Sequence, residues 1–551
     1  MLESILLVKH KMVQTHFSVV EAKLIRNNFP EDDQQPERMN QIASGFISRF
    51  KNAVESADAD KFDDLIADDG YWRDIVSFTN DFRCFTKVNV LQAARDRLEI
   101  TKASGGKIEF APKFKTLDEH AFIEFGFRFS TDLGPAVATV RLVRSEDGEY
   151  RAFVIIVGGG QCDLAVAARL KYLGIKPLVI DRFERVGDNW RKRYGSLALH
   201  DTLCSQALPY MPWPETFPEF ISAGKLANWL EHYVESLELN VWVKSKVVPE
   251  RTFFDEKFQK WHVTIDRDGK ERQFDVDNMV IATGLCGKPK MPKPFPGQEK
   301  FTKPIIHSSQ HKGGADWKDK DVLVIGTGSS GHDISLDLAN HAAKPTILQR
   351  SPTYVLSIGK GIVGTLNGDL MVEGVNLDYA DRITEAMPRP VTKATFQKLV
   401  PKIAELDKEL LDGLSRAGFS TYLGPDNSDY FTEDSVVFKD GTHLNPDLVI
   451  CCTGYGGFKD SVDETLGEKY GNQLKKIWGL DCEGEINGLY RDCGISNTYF
   501  MSGALPLTRV YSKPVALQIL AQQLGKLGSR YSIDESRRTG NYQDVSGLLY
   551  Q

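Results

Sequence analysis

Apolar positions near the N-terminus recur first with one period and then with another. From Glu37 to about Phe50, the residues Ile42, Phe46, Ile47 and Phe50 fall at helical spacing, which predicts an amphipathic helix, and a second short helix is expected over Ala59–Ala67. Strands are then expected over Lys107–Phe114, Ala121–Ser130, Ala136–Val143 and Tyr150–Val157, with a hairpin turn at Glu146-Asp147-Gly148. Helices followed by a curved antiparallel sheet predict a small α+β cone over residues 37–152. Residues 1–36 end in the polar run Glu31-Asp32-Asp33-Gln34-Gln35-Pro36 and are expected to form an extension with little order.

Past the cone the pattern changes to short, continuous apolar runs, as required of strands buried on both faces of a parallel sheet. Two of them, Phe153–Val157 and Asp321–Ile325, lead into turns of one design: Gly158-Gly159-Gly160-Gln161-Cys162-Asp163 and Gly326-Thr327-Gly328-Ser329-Ser330-Gly331. Each turn uses missing side chains to bring backbone N–H groups and a helix N-terminus against a pyrophosphate, so two of them imply two dinucleotide sites. In the first, Gly158 permits the tight turn, Gly160 lets the backbone approach phosphate, and Gln161 follows. Its sixth position, glycine in the full pattern, is Asp163, and a carboxylate there opposes a pyrophosphate. In the second, Gly326, Gly328 and Gly331 satisfy the whole pattern around Ser329 and Ser330.

The expected fold class is α/β, with two dinucleotide-binding, Rossmann-like domains preceded by the cone. One covers 153–300 and 490–530; the other, 301–489, is inserted into it, and 531–551 form a tail. The junction is unusual. Tyr150–Val157 finishes the cone and also begins the first dinucleotide fold, with no linker between the two, and one strand cannot fill both sheets.

The residues after the strands carry the cofactor chemistry. Pro177–Ile180 ends in Asp181, followed by Arg182, at about the 20-residue distance where an acid accepts hydrogen bonds from an adenosine ribose without a 2′-phosphate. After Pro345–Leu348 the second fold has Gln349-Arg350-Ser351 instead of an acid. An arginine fork and a hydroxyl suit the 2′-phosphate of NADPH, so NADPH is expected there rather than NADH. Ile281-Ala282-Thr283-Gly284 and Cys452-Thr453-Gly454-Tyr455 each follow an apolar strand, and their small residues suit a chain crossing beside a cofactor. Downstream of Asp181 in the first fold, Gly187, Asn189, Trp190, His200 and Asp201 are available to a ring-binding loop.

Composition narrows the reading. At 551 residues the chain is too long for one core. A formal charge of -7 leaves no basic excess for gripping a nucleic-acid backbone. The eight cysteines form no C-x-x-C pair and no metal-type cluster with histidine, as in a reduced cytosolic protein, and neither a disulfide reductase nor a metal site is expected. No segment reaches the roughly 20 apolar residues that span a bilayer, and Ile5–Val8 is interrupted at once by Lys9. The expectation is a soluble, cytoplasmic protein.

These motifs carry two resemblances. Over about 110 residues the N-terminal pattern resembles the SnoaL or NTF2-like fold that precedes the flavin domain in a group of fungal monooxygenases, and Trp72-Arg73-Asp74 falls where those modules carry a W-R-D signature. The resemblance implies a packing or homodimerisation module, or a pocket with Arg73 and Asp74 as its polar groups. From about 153 to 525, the G-G-G-Q turn, Val179-Ile180-Asp181, Gly187–Tyr194 and Ser196–Asp201 resemble class B flavin-dependent monooxygenases, near the plant YUCCA and animal FMO-type enzymes. Tyr499–Gly503 and Arg509–Lys513 resemble their closing flavin segment. His200 stands where family members place an Asn near the flavin.

The family fingerprint F-x-G-x-x-x-H is present as Phe301 to His307, with Lys303 for its glycine and His311 for its terminal aromatic residue. The lack of a Trp there argues against a Baeyer-Villiger member, and the resemblance gives His307 a hinge role. The resemblance implies FAD in the first fold, NADPH in the second, and insertion of one oxygen atom from O2 into a small organic substrate through a C4a-hydroperoxyflavin. N- or S-oxygenation of the N,N-dimethylaniline monooxygenase type and oxidative decarboxylation both fit. The flavin carries the chemistry, so no side chain is nominated as acid, base or nucleophile. Two other readings stand beside this one: a non-catalytic relative acting in association, and an NADPH oxidase-type flavoprotein.

Overall fold

A computed structural model of the chain describes residues 29–117, 120–132, 134–144, 150–157, 163–284, 289–349, 374–385, 430–438, 441–481, 483–528 and 530, with isolated positions between 357 and 408. Its contacts divide into two units. The first holds the chain up to Trp72 with Phe85–Ser130 and Ala138–Ile155; the second holds Arg73–Cys84, Thr131–Val137 and everything from Ile156 onward.

In the first unit, helix α1 (Pro36–Glu55) starts with proline at its first turn and buries Ile42, Phe46, Ile47 and Phe50 on one face, as the spacing predicts. It runs on past Phe50 because Ala53 and Val54 continue that face. The polar run before it is ordered in part: Glu31–Gln34 form a 3-10 turn, and Arg38 donates to Asp33 at 2.9 Å. Helix α2 (Ala59–Asp63) is capped by Asp58, which accepts the N–H groups of Asp60 and Lys61. It stops short of the expected Ala67 because Ile66 already begins strand β1 (Ile66–Ile75).

Three early elements escape the sequence pattern. Strand β1 has Asp68, Asp69, Arg73 and Asp74 among its apolar positions, which hides the alternation. Strand β2 (Phe82–Thr86) is short. Helix α3 (Lys87–Thr101) buries mainly the small residues Ala93 and Ala94 with Val90 and Leu98. Strands β3 (Ser104–Leu117), β4 (His120–Thr131) and β5 (Gly134–Arg144) follow as predicted, with wider limits. The register of β3 against β4 shifts between Ile108 and Lys113, and such bulges bend a sheet. The expected hairpin turn at Glu146-Asp147-Gly148 lies outside the described residues.

Strand β6 (Tyr150–Val157) settles the question posed by the junction. The six-stranded sheet has the order β2-β1-β6-β5-β4-β3, so β6 lies inside it with β1 on one edge and β5 on the other. A strand has two hydrogen-bonding edges, and both are taken here. The expectation that Phe153–Val157 serves as the first strand of the parallel dinucleotide sheet is therefore not met. The interior between this sheet and α1 is filled with rings: Phe50 lies 4.9 Å from Phe127 and 5.3 Å from Phe129, and Phe62 lies 4.9 Å from Trp72.

The second unit contains the parallel strands. Helix α4 (Asp163–Tyr172) follows the first glycine turn, and β7 (Val179–Ile180) pairs in parallel with β8 (Val241–Trp242). Strands β9 (Ser245–Val247), β10 (Phe253–Asp255), β11 (Lys260–Arg267) and β12 (Lys270–Val276) make an antiparallel sheet. Strand β13 (Met279–Ile281) pairs in parallel with the late strand Thr498–Phe500. A four-stranded parallel sheet is built from β14 (Ile305–His307), Leu448–Cys451, β15 (Asp321–Ile325) and β16 (Lys344–Leu348), in that order. Strand β15 has the predicted limits and is backed by Ile334 and Leu338 of the helix that follows it. Around Val436 a small antiparallel sheet is formed by Tyr430–Phe431, Val436–Val437 and His443–Leu444; residues 418–429 lie outside the described residues.

The W-R-D residues divide between the units. Trp72 belongs to the first. Arg73 and Asp74, in the second, are consumed by fixed contacts: Arg73 donates to Glu485 at 2.5 and 2.7 Å, and Asp74 accepts from Thr79 Oγ1 at 2.6 Å and from the N–H groups of Ser77, Phe78 and Thr79. Burial nevertheless pushes the Asp74 carboxyl up to about 6.

Candidate functional site

The second glycine turn shows why each of its glycines is there. Gly326 has φ +113°, and a Cβ on it would lie 2.4 Å from the carbonyl oxygen of Cys452. A Cβ on Gly331 would lie 2.1 Å from the carbonyl oxygen of Gly326, so the helix can pack on the strand only without it. Gly328 is different, because no atom lies within 4 Å of its missing side chain. That open position caps helix α5 (Ser329–Asn340) without any side-chain partner for the helix N–H groups, and Gly328 and Ser329 are exposed while Ser330 is half-buried. An exposed, uncapped helix start behind a side-chain-free turn is what an anionic diphosphate requires. Tyr194 reaches this turn from the Arg193–Asp201 segment, its hydroxyl donating to Asp333 Oδ2 at 2.8 Å. Burial, aided by the Asp333 carboxylate, holds its phenol proton firmly, against a hydrogen bond with Ser330.

The two crossover segments are built alike. Gly284 has φ +80° and Gly454 φ +77°, and both have open space at the missing side chain. The preceding threonines are anchored: Thr453 Oγ1 donates to the carbonyl of Lys290 at 2.5 Å, and Thr283 Oγ1 accepts from Ser461 at 2.5 Å. The Gly454 carbonyl takes the N–H of Lys290 at 3.0 Å and His307 Nε2 at 2.9 Å. Because His307 Nδ1 accepts the N–H of Ser309 at 3.1 Å, the proton belongs on Nε2, and burial lowers the affinity of this ring for a second one. Its ring meets Tyr455 edge-on at 5.2 Å, and the Arg193 guanidinium lies over the Tyr455 ring at 5.6 Å.

The two departures from the fingerprint have local explanations. Lys303 is exposed and is not among the residues with positive φ, so no glycine is needed there. His311 is buried and pairs with Asp337 of α5 at 3.0 Å, while Asp337 also accepts the N–H of Gly314 at 2.8 Å. A polar tie thus joins this loop to α5.

Around the first turn, Gly158, Gly160 and Gln161 lie outside the described residues, as do Arg350 and Ser351 of the second fold. Asp163 opens α4. Asp181 follows β7 with its N–H bonded to Trp242 and its Oδ1 accepting the N–H of Phe183 at 3.0 Å; burial raises its carboxyl above the ordinary value. Arg182 is exposed, with its guanidinium 5.2 Å from the Phe183 ring. Gly187, at φ +83°, would place a Cβ 2.6 Å from the carbonyl oxygen of Ala227. Asn189 and His200 are exposed, Trp190 is half-buried against Trp213, Ile221 and Leu226, and the carbonyl of Asp201 accepts from Gln206.

The chain over residues 153–403 matches the family model described as flavin-binding monooxygenase-like. The indole-3-pyruvate monooxygenase YUCCA1 of rice is 31% identical over 353 residues, which cover 61% of this chain and 85% of the relative. The chain belongs to the flavin-binding monooxygenase-like family. A second member of this family, the probable indole-3-pyruvate monooxygenase YUCCA10 of Arabidopsis thaliana, is 35% identical over 336 residues, 59% of this chain and 85% of its own. Among solved structures, a flavin-containing monooxygenase from Stenotrophomonas maltophilia is 20% identical at TM-score 0.44, covering 67% of this chain and 94% of its own. Tmm from a Pelagibacter strain is 16% identical at TM-score 0.47, covering 72% and 80%.

The family is named for the flavin it binds, and FAD and NADPH are the cofactors expected from the sequence. The described residues fit them: the second turn offers the open glycine and free helix start for a diphosphate, and Asp181 offers a carboxylate after β7. No helix among the described residues is long and apolar enough to cross a membrane, and no group of three or more metal-ligating side chains is found among them. Lys290, Asp333 and Ser461 were missed as contributors to this region. Ser461 meets Thr283 across 178 positions of sequence, a separation at which no local pattern signals a contact.

Proposed function

We propose that the chain is a monooxygenase that uses FAD, NADPH and O2 to place one oxygen atom on a small organic substrate, by N- or S-oxygenation or oxidative decarboxylation. The observation that carries the reading is the second turn: an open Gly328 and an uncapped α5 start in a family that binds flavin. Because its YUCCA relatives are named for indole-3-pyruvate, a 2-oxo acid is the first substrate class to try. Bound FAD, reduced by NADPH, supplies the electrons that divide O2 between product and water.

The protein's part is holding and positioning. Gly326, Gly328, Ser329, Ser330 and Gly331 would take the NADPH diphosphate, with Arg350 and Ser351 at its 2′-phosphate. Gly158, Gly160 and Gln161 would take that of FAD, with Asp181 at its ribose. Gly187, Asn189, Trp190, His200 and Asp201 would border the flavin, and the Thr283-Gly284 and Thr453-Gly454 crossovers would run beside the cofactors. The division into an NTF2-like cone over 37–152, an FAD domain over 153–300 and 490–530, and an NADPH domain over 301–489 belongs to the same reading; the ring-filled interior of the first unit favours packing over catalysis for the cone. The test is a spectrum. Purified protein should be yellow, bleach with NADPH under anaerobic conditions and recover its colour in air with product formation. Protein that takes up no flavin, or that releases all its reducing equivalents as peroxide in the presence of substrates of each class, would overturn it.

A further inference from the structure

We infer that Tyr150–Val157 is one strand claimed by two sheets, and that the FAD fold of this chain is completed only when this strand leaves the six-stranded sheet. The inference rests on the reading that the first glycine turn binds FAD. In the structure β6 is hydrogen-bonded on both edges, to β1 and to β5. The glycine turn begins at the next residue, Gly158, and α4 starts at Asp163, so the strand that feeds this turn can only be β6 itself. A dinucleotide fold places the strand before its turn at the centre of the sheet, between the strand that ends in the ribose acid and the strands beyond the switch point.

The remains of that sheet carry the mark of the missing strand. Among the described residues, the acid-bearing strand β7 pairs with β8 alone and β13 with Thr498–Phe500 alone, giving two separate two-stranded parallel pieces. Two-stranded parallel sheets are marginal alone and become stable when further strands join them. The helices of the fold are nevertheless assembled: Leu164, Ala167 and Ala168 of α4 pack in one apolar cluster with Leu505 of the C-terminal helix and with Val179 and Val241 of the β7–β8 pair. One strand therefore decides between an unbroken six-stranded sheet and a joined parallel sheet. Because each site change biases the same element, FAD and the intact six-stranded sheet should oppose one another by equal and reciprocal free energies.

The experiment compares the full chain with a variant in which residues 150–157 are repeated, the two copies joined by a Gly/Ser linker of about 12 residues. The first copy can then close the six-stranded sheet while the second feeds Gly158. NADPH titration serves as the control that the second glycine turn is folded in both. The expected result is that FAD, added to flavin-free protein and followed by its fluorescence, binds the repeat variant at least tenfold more tightly. In the parent chain, FAD should also speed amide hydrogen exchange in Ile66–Ile75 and Gly134–Arg144, the two partners of β6, and it should not do so in the variant. Equal FAD affinity in the two proteins with no exchange change would overturn the inference while leaving the flavoprotein reading intact. Failure of both proteins to bind FAD while NADPH still binds would overturn both.

Discussion

Gly328 and Gly331 lie three positions apart and should respond to the same substitution in opposite ways. Gly331→Ala drives a Cβ to 2.1 Å from the Gly326 carbonyl, an overlap with backbone that should cost about 3 kcal/mol and lower Tm. Gly328→Ala meets no protein atom, and its φ of −77° suits alanine, so Tm should hold while the NADPH Kd rises about tenfold to a hundredfold, or about 1.4–2.8 kcal/mol. Thermal melts and NADPH titrations separate the two effects. Arg350→Ala should weaken NADPH much more than NADH; equal losses would remove the 2′-phosphate assignment. His307 gives a pH test. Burial holds its folded pKa below the ordinary 6.5, so the folded state binds fewer protons, and stability present above pH 6.5 should fall as pH drops through the lower folded value. That slope of the urea-unfolding free energy should disappear in His307→Gln.

At the scale of elements, the segment Arg73–Cys84 holds together with Glu483, Glu485 and Arg491 through buried ion pairs. Arg73 meets Glu485, Arg83 meets Glu483, and Arg491 bridges Asp81 and Asp481 at 2.9 Å each. Arg73 also approaches Tyr511 at 3.3 Å, and that ring stacks on Tyr490 at 4.3 Å, so the charge cluster continues into the helix Leu505–Gln523. The worth of such a cluster lies in its completeness, because a buried charge left alone costs more than the pair contributes. Arg73→Ala, which strands the fully buried Glu485 carboxylate, should destabilise the second unit by about 3–5 kcal/mol in chemical denaturation. Pairing Arg73→Met with Glu485→Gln should recover most of that loss. If the double variant is no more stable than Arg73→Ala, shape rather than charge governs this segment.

For the whole molecule, NADPH at a hundred times its Kd should add about 2.7 kcal/mol to the stability of the second unit. Amide exchange should record it as slower exchange in Asp321–Ile325 and Leu448–Cys451, with helix α1 of the first unit unchanged. What was legible beforehand follows from local requirements. A tight turn against phosphate demands missing side chains wherever it occurs, and strands buried on both faces demand unbroken apolar runs, so Gly326–Gly331, Asp321–Ile325 and the helix from Pro36 are set by their own residues. The tertiary structure decided everything that depends on distant partners. Only chain closure brings Ser461 to Thr283, Asp337 to His311 and Glu485 to Arg73, and only competition for hydrogen-bonding edges assigns Tyr150–Val157 to the six-stranded sheet, since its apolar run satisfies either sheet equally well.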